Sequence, residues 1–168
     1  MTISDVREIL EKHKLMSIGT YGKKYPDNSV VCFSYDENAN LYFGSYSDTL
    51  KCKNISNNNI VAVTIGTLQI HGRAEIVEFG SEAYAIGRKN YDARFPQYRE
   101  VFMKKNNELY IIIPYVIWNY NPSLGGEMYR ECIVFNSAYL SEIEEYFPHS
   151  YEIRENIWVC RDTECWGI

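Results

Sequence analysis

The sequence predicts a mostly β domain with flanking helices, its strands antiparallel and closed as a barrel or stacked as a sandwich. Three observations carry this. The 168 residues include 15 Tyr, 7 Phe and 3 Trp, a composition suited to pleated, half-buried surfaces. β-prone runs follow one another across short turns, as at 29–35 and 41–43, and strands so joined pair antiparallel. The glycine signatures of a doubly wound sheet, a Walker phosphate loop and a nucleophile elbow do not occur.

Taken in order, residues 2–14 read as an amphipathic helix with Ile3, Val6, Ile9 and Leu10 on one side, capped by Thr2 or Ser4. A strand follows at 15–21, a loop at 22–26 and a second strand at 29–35. The turn 36–40 leads to a third strand at 41–43, making a hairpin. The run 60–65 alternates poorly but is uniformly β-prone. Residues 68–79 form a long strand interrupted by Gly72, which permits a bulge or a close backbone approach. Along it Gln69, His71, Arg73 and Glu75 alternate with apolar residues, so one face is polar and is expected to line a ligand cavity or, the commoner case, to meet solvent.

Ser81 caps a helix to about residue 91, and a second helical piece spans 97–105 with Arg99, Lys104 and Lys105 on a solvated face. The strongest strand is 108–118, ELYIIIPYVIW, where Pro114 demands an edge, a bulge or a break. Tyr115, Trp118 and Tyr120 are expected in core or dimer packing. A loop at 121–127, a strand at 131–135, a helix at 141–147 and a last strand at 152–160 complete the chain. The length fits a single domain, 1–168, with 121–168 a C-terminal extension whose packing the sequence leaves open.

An apolar fraction of 46% excludes a disordered chain, and a net charge of −5 argues against general nucleic-acid binding. No apolar run approaches the roughly 20 residues that cross a bilayer. The first 14 residues lack the basic start and apolar core of an export signal, so the expected location is cytoplasmic. Cys32, Cys52, Cys132, Cys160 and Cys165 are odd in number and scattered, which reads as free thiols in a reducing compartment. Cys160 and Cys165 have no second ligand pair, and His13, His71 and His149 lie far apart, so no metal is expected.

The chain is organised around 41–65, LYFGSYSDTLKCKNISNNNIVAVTI. A β-run at 41–43 ends in a hydroxyl-rich turn at 44–49, and a helical segment carrying Lys51 follows. Unpaired N–H groups, the positive end of a helix dipole, hydroxyls and an ammonium together suit a phosphate.

Residues 43–59, FGSYSDTLKCKNISNNN, resemble the flavin-binding segment of the pyridoxamine 5'-phosphate oxidase family, roughly F-x-T-N-x-x-S-R-K-x-x-x-I-x-x-N-P, without a gap. Phe43, Ser45, Thr49, Lys51, Ile55 and Asn58 fall in register. Residues 67–74, TLQIHGRA, resemble the family's later strand, Q-V-R-V-x-G-x-A, and 29–36 resemble the strand before the motif. The resemblance covers about residues 5–120. It implies a split β-barrel, antiparallel and of Greek-key type, that dimerises with FMN at the subunit interface. The phosphate would be gripped by Ser45, Thr49 and Lys51, with Ser47 beside them. The main chain of Val30, Val31, Cys32 and Phe33 would meet the ring edge, and Thr67 stands at the start of the later strand.

Leu50, Asn28, Phe33 and Thr67 occupy places where the oxidase has Arg, Arg, Lys and Gln. The resemblance therefore implies a relative rather than the vitamin B6 oxidase itself. The expected function is that of an FMN-dependent oxidoreductase acting on a small molecule, with NADH or NADPH as a candidate electron donor. The alternatives are a non-catalytic flavin carrier and a relative that binds haem or a deazaflavin. No catalytic acid or base is assigned.

Overall fold

The computed structural model describes residues 1–120, 130–144, 151–154 and 157–160. The elements run α1 (Ile3–Lys12), β1 (Leu15–Tyr21), β2 (Pro26–Cys32), β3 (Ser34–Tyr35), β4 (Leu41–Tyr46), α2 (Leu50–Asn57), β5 (Ile60–Ile65) and β6 (Leu68–Ile76). Then come α3 (Glu82–Arg94), a 3-10 segment (Pro96–Met103), β7 (Asn107–Tyr120), β8 (Arg130–Val134), α4 (Ser137–Glu144), β9 (Tyr151–Arg154) and β10 (Ile157–Cys160).

Every described strand pair is antiparallel, in the order β2-β1-β5-β6-β7-β8-β10-β9, with β4 also on β7 and β3 on β4. The long strand β7 is the branch point. One edge pairs with β6, while the other is shared: Asn107 to Ile112 face β4, and Val116 to Tyr120 face β8. β2 and β3 lie at opposite ends of the barrel sheet yet are joined through Phe33 alone. The sheet therefore curls until its ends meet covalently. Beyond that joint no described ladder connects β2 to β4. This is a split β-barrel with flanking helices, as the resemblance implies.

The interior follows from period-two burial. Met16, Ile18 and Thr20 of β1, Val61, Val63 and Ile65 of β5, and Leu68, Ile70 and Ala74 of β6 point inward. Burying one Val, Leu or Ile side chain contributes about 1.5–3 kcal/mol, so these three strands alone fix the register. β5 was expected to alternate poorly because Ile60 and Ala62 are apolar too, but its burial alternates strictly. α1 drives Val6 and Leu10, both fully buried, into the same core as Phe33, Leu41 and Phe43. A capping box between Thr2 and Asp5 starts this helix, and the Ser81 hydroxyl accepts from the Tyr84 amide to start α3.

Gly72 and Pro114 meet where the β6–β7 register shifts: His71 pairs with Val116 and Gly72 with Pro114, leaving Tyr115 as the extra residue of a bulge. A Cβ on Gly72 would lie 2.4 Å from the Ile113 carbonyl oxygen. The bulge answers both expectations at once, since proline has no N–H to give the ladder there.

Several boundaries differ from expectation. β4 runs on to Tyr46, so Ser45 is a strand residue, because Gly44–Tyr46 finds partners in Asn107–Leu109. The strand expected at 29–35 is two pieces broken at Phe33, where the sheet changes direction. The fourth helix starts at Ser137 rather than 141, its Tyr139 amide bonded to the Asn136 side chain. The last strand is a hairpin, β9 with β10. The loop expected at 121–127 lies outside the described residues.

Candidate functional site

Three consecutive pieces of chain carry the predicted phosphate donors, and the last of them, α2, packs on β1 and β2. β4 delivers Ser45, the turn after it delivers Ser47 and Thr49, and α2 begins at Leu50 and delivers Lys51. Ser45 is 7% exposed, opposite Glu108 of β7. Its hydroxyl lies 3.3 Å from that of Thr49, which donates to the Tyr46 carbonyl at 2.9 Å. Ser45 is thus the donor of the longer, weaker bond and the easier of the two to recruit.

Thr49 holds the N-cap position of α2, with extended φ and ψ, but its side chain makes no capping bond to the helix. Its proton goes backward to Tyr46 instead, which leaves the first-turn N–H groups without a side-chain cap. Lys51 is half-buried and has no ion pair or hydrogen bond among the described residues, and Asp48 is exposed. The Ser47 amide donates to the Asn106 carbonyl at 2.9 Å and pins the turn to the approach of β7.

α2 is held from below. Cys52 and Ile55 are buried in the main core, with the Cys52 thiol against the Tyr110 phenol, whose pKa burial pushes up. Tyr110 stacks on Phe43 at 5.0 Å. Buried Asn54 donates to Thr20 Oγ1 at 3.3 Å and to the Tyr25 carbonyl at 3.0 Å, tying α2 to the β1–β2 turn. Gly22 allows this approach: a Cβ there would stand 2.5 Å from Asn54 Oδ1. Nothing local in the sequence marks Asn54, since its partners lie 34 and 29 residues away.

The strand Val30–Phe33 supplies the other wall. Phe33 N–H donates to the Lys14 carbonyl. Hydrogen bonding alternates along an antiparallel strand, so the main-chain groups of Val31 turn toward β1, and those of Val30 and Cys32 turn to the open edge. The side chains alternate as well: Phe33 is fully buried, Val31 packs on the core, and Val30 is 67% exposed. Burial raises the Cys32 thiol pKa, which disfavours the reactive thiolate. The core joins the two walls, because Phe33, Phe43, Cys52 and Val31 pack in one cluster.

Thr67 stands apart, on the turn between β5 and β6, where its hydroxyl donates to Asn119 Oδ1 at 2.7 Å. His71 does not meet open solvent as its place on the strand suggested. Its Nδ1 lies 2.9 Å from the Tyr139 hydroxyl of α4, its ring stands edge-on to Trp118 at 4.8 Å, and burial lowers its pKa. Arg73 pairs with Glu75 at 3.1 Å. Trp118 is buried as expected, whereas Tyr120 is 40% exposed. His149 and Cys165 lie outside the described residues.

The family model described as pyridoxamine 5'-phosphate oxidase matches residues 3–111, from α1 to the first part of β7. The chain belongs to the pyridoxamine 5'-phosphate oxidase family. The oxidase-like fold recurs in solved structures. Protein Atu2129 of Agrobacterium tumefaciens is 20% identical with a TM-score of 0.60 over 68% of this chain, which spans only about half, 54%, of that protein. An FAD-binding protein of Mesorhizobium loti is 13% identical, TM-score 0.57, over 70% of this chain and 90% of its own. The haem storage protein HutZ of Vibrio cholerae is 16% identical, TM-score 0.55, over 68% of this chain and 91% of its own. At these identities the likeness is one of fold. A search of curated proteins returns no match. Among the described residues no helix is long and apolar enough to cross a membrane.

Proposed function

We propose that this oxidase-family protein binds FMN in the opening between β2 and β4 and serves as an FMN-dependent oxidoreductase for a small molecule. The observation that carries the reading is the donor set at the start of α2. Within seven residues the chain offers the Ser45 hydroxyl, a helix start without a side-chain cap and a Lys51 with no ion pair or hydrogen bond among the described residues. That set fits a phosphate dianion, which accepts from all three and is favoured by the helix dipole. The outward main-chain groups of Val30 and Cys32 offer both a donor and an acceptor to a planar ring edge.

FMN, when bound, supplies the two-electron chemistry at its ring. The chain's part is to grip the phosphate through Ser45, Thr49 and Lys51, with Ser47 fixing the turn, and to orient the ring along β2. The open β2 edge and exposed Val30 support a second copy closing over the ring, a homodimer with the flavin between subunits. A haem storage protein shares the fold, so the cofactor itself is tested first.

Purified protein is expected to be yellow and to release FMN on denaturation. Colourless protein that takes up no FMN would overturn the reading. Lys51→Ala should weaken FMN roughly ten- to hundredfold, the range for a lost charged hydrogen bond, while riboflavin, which lacks the phosphate, changes little. Equal loss for both ligands contradicts the assigned role. Bleaching of the bound flavin under NADH or NADPH without an added reductase distinguishes an oxidoreductase from a carrier.

A further inference from the structure

α2 is tied at its two ends to different parts of the sheet. Its entry is pinned to β4 and β7: the Thr49 amide donates to the Tyr46 carbonyl at 3.1 Å, and the Ser47 amide to the Asn106 carbonyl at 2.9 Å. Farther along, Asn54 Nδ2 donates to Thr20 Oγ1 of β1 at 3.3 Å and to the Tyr25 carbonyl of the β1–β2 turn at 3.0 Å. The helix thus spans from β4 to the β1–β2 pair, and no described ladder joins β2 to β4.

The apolar contacts of α2 do not fix its place along that span. Cys52 and Ile55 are its buried hydrophobic residues, and apolar packing has no direction. Hydrogen bonds do have direction and weaken steeply as they bend. Buried Asn54 commits both of its amide protons, to two different pieces of chain. A slide or a roll of α2 therefore breaks at least one bond where water does not replace it. Gly22 sets how near the turn can come, because a Cβ there would stand 2.5 Å from Asn54 Oδ1 and 3.1 Å from its Cα. Lys51 precedes Asn54 by three positions in the same helix, so whatever holds Asn54 also holds Lys51 and the uncapped first turn.

We propose that Asn54, seated against Gly22, is a positioning residue that sets where the first turn of α2 stands relative to β2, and thereby how strongly the chain prefers a phosphorylated flavin to its unphosphorylated form. This rests on the FMN reading above. Asn54 touches no ligand. It acts through the helix that carries Lys51, so its effect belongs to the phosphate and not to the ring.

The test titrates the full-length protein with FMN and with riboflavin, followed by flavin fluorescence, alongside melting temperatures. Asn54→Leu keeps the volume and removes both bonds. It should weaken FMN by about tenfold and riboflavin by no more than about twofold, as expected for displaced charged donors. Gly22→Ala, which leaves α2 itself unaltered, should lower the FMN-to-riboflavin preference in the same direction, and it decides the matter if Asn54→Leu does not fold. Val63→Ala, in the β5 core, is the control: it should lower the melting temperature and leave the preference unchanged. A preference untouched by both Asn54→Leu and Gly22→Ala, or lowered as much by Val63→Ala, overturns the proposal and leaves the FMN reading standing. An unsubstituted chain that binds FMN no better than riboflavin, or binds neither, overturns the phosphate reading and the proposal with it.

Discussion

Single residues in this protein are often decided by partners far along the chain. His71 is the clearest case. On β6 it belongs to the polar face, yet Tyr139, 68 positions later, covers it and bonds its Nδ1. Burial disfavours the imidazolium and lowers its pKa from an ordinary 6.5. The sign of the pH effect follows. Below about pH 6.5 the unfolded chain takes up a proton that the folded chain refuses, so stability falls as the pH drops and levels off below the folded pKa. Melting temperatures measured between about pH 7.5 and pH 5 should therefore fall less in His71→Gln, which keeps a partner for Tyr139 without titrating there. Parallel curves for the two proteins would show that His71 does not titrate in this way. Lys51 is the opposite case: its type and position were legible from the sequence, because a cation beside hydroxyls at a helix start is a local pattern.

At the scale of elements, strands were more legible than their ends. The run 15–21 and the run 60–65 match β1 and β5 residue for residue, because inward apolar residues at every second position leave one register. β4 was cut short at Phe43 because Gly44, Ser45 and Tyr46 read as turn residues. Only β7, more than 60 positions away, supplies the ladder that makes them a strand. The β6–β7 bulge combines both situations. Gly72 and Pro114 each announced an irregularity, but their meeting is a fact of the fold. Gly72→Ala would press a methyl onto the Ile113 carbonyl, and backbone cannot swing aside as a side chain can. A loss of about 1–3 kcal/mol is expected in urea unfolding, typical of overpacking. Gly80→Ala, with open space around it although its φ is +84°, makes a comparison in which strain acts without a clash. A Gly72→Ala loss no larger than that of Gly80→Ala would argue against the close approach.

For the molecule as a whole, Arg94 does what no element does alone. From the end of α3 it donates to the Leu10 and His13 carbonyls at the end of α1, bonds the Glu11 carboxylate at 2.9 Å, and lies over the rings of Phe33 and Tyr35. It thereby ties α1, α3 and the β2–β3 joint that closes the barrel. Its ion pair is worth little, because Glu11 is 70% exposed. The bonds to helix-end carbonyls and the ring contacts matter more, since a side chain only 12% exposed leaves them unsolvated if removed. Arg94→Met should cost about 2–3 kcal/mol in urea unfolding with an unchanged slope. A Glu11→Gln change should cost under about 1 kcal/mol. Equal losses would mean that the ion pair, not the carbonyl contacts, dominates.

The sequence by itself determined the family and the antiparallel barrel class, and it singled out 43–59 as the segment to test for phosphate binding. Each rests on signals local to the chain: period-two burial, short turns, and hydroxyls and a lysine in register at a helix start. Only the tertiary structure decided that Ser45 belongs to a strand, that Asn54 locks α2 and that His71 is covered. It alone also decided that the Thr67 hydroxyl bonds to Asn119. The physical reason is the same throughout. Hydrogen-bond direction and burial belong to pairs of residues brought together by the fold, and a pair separated by tens of positions leaves no mark on either neighbourhood in the sequence.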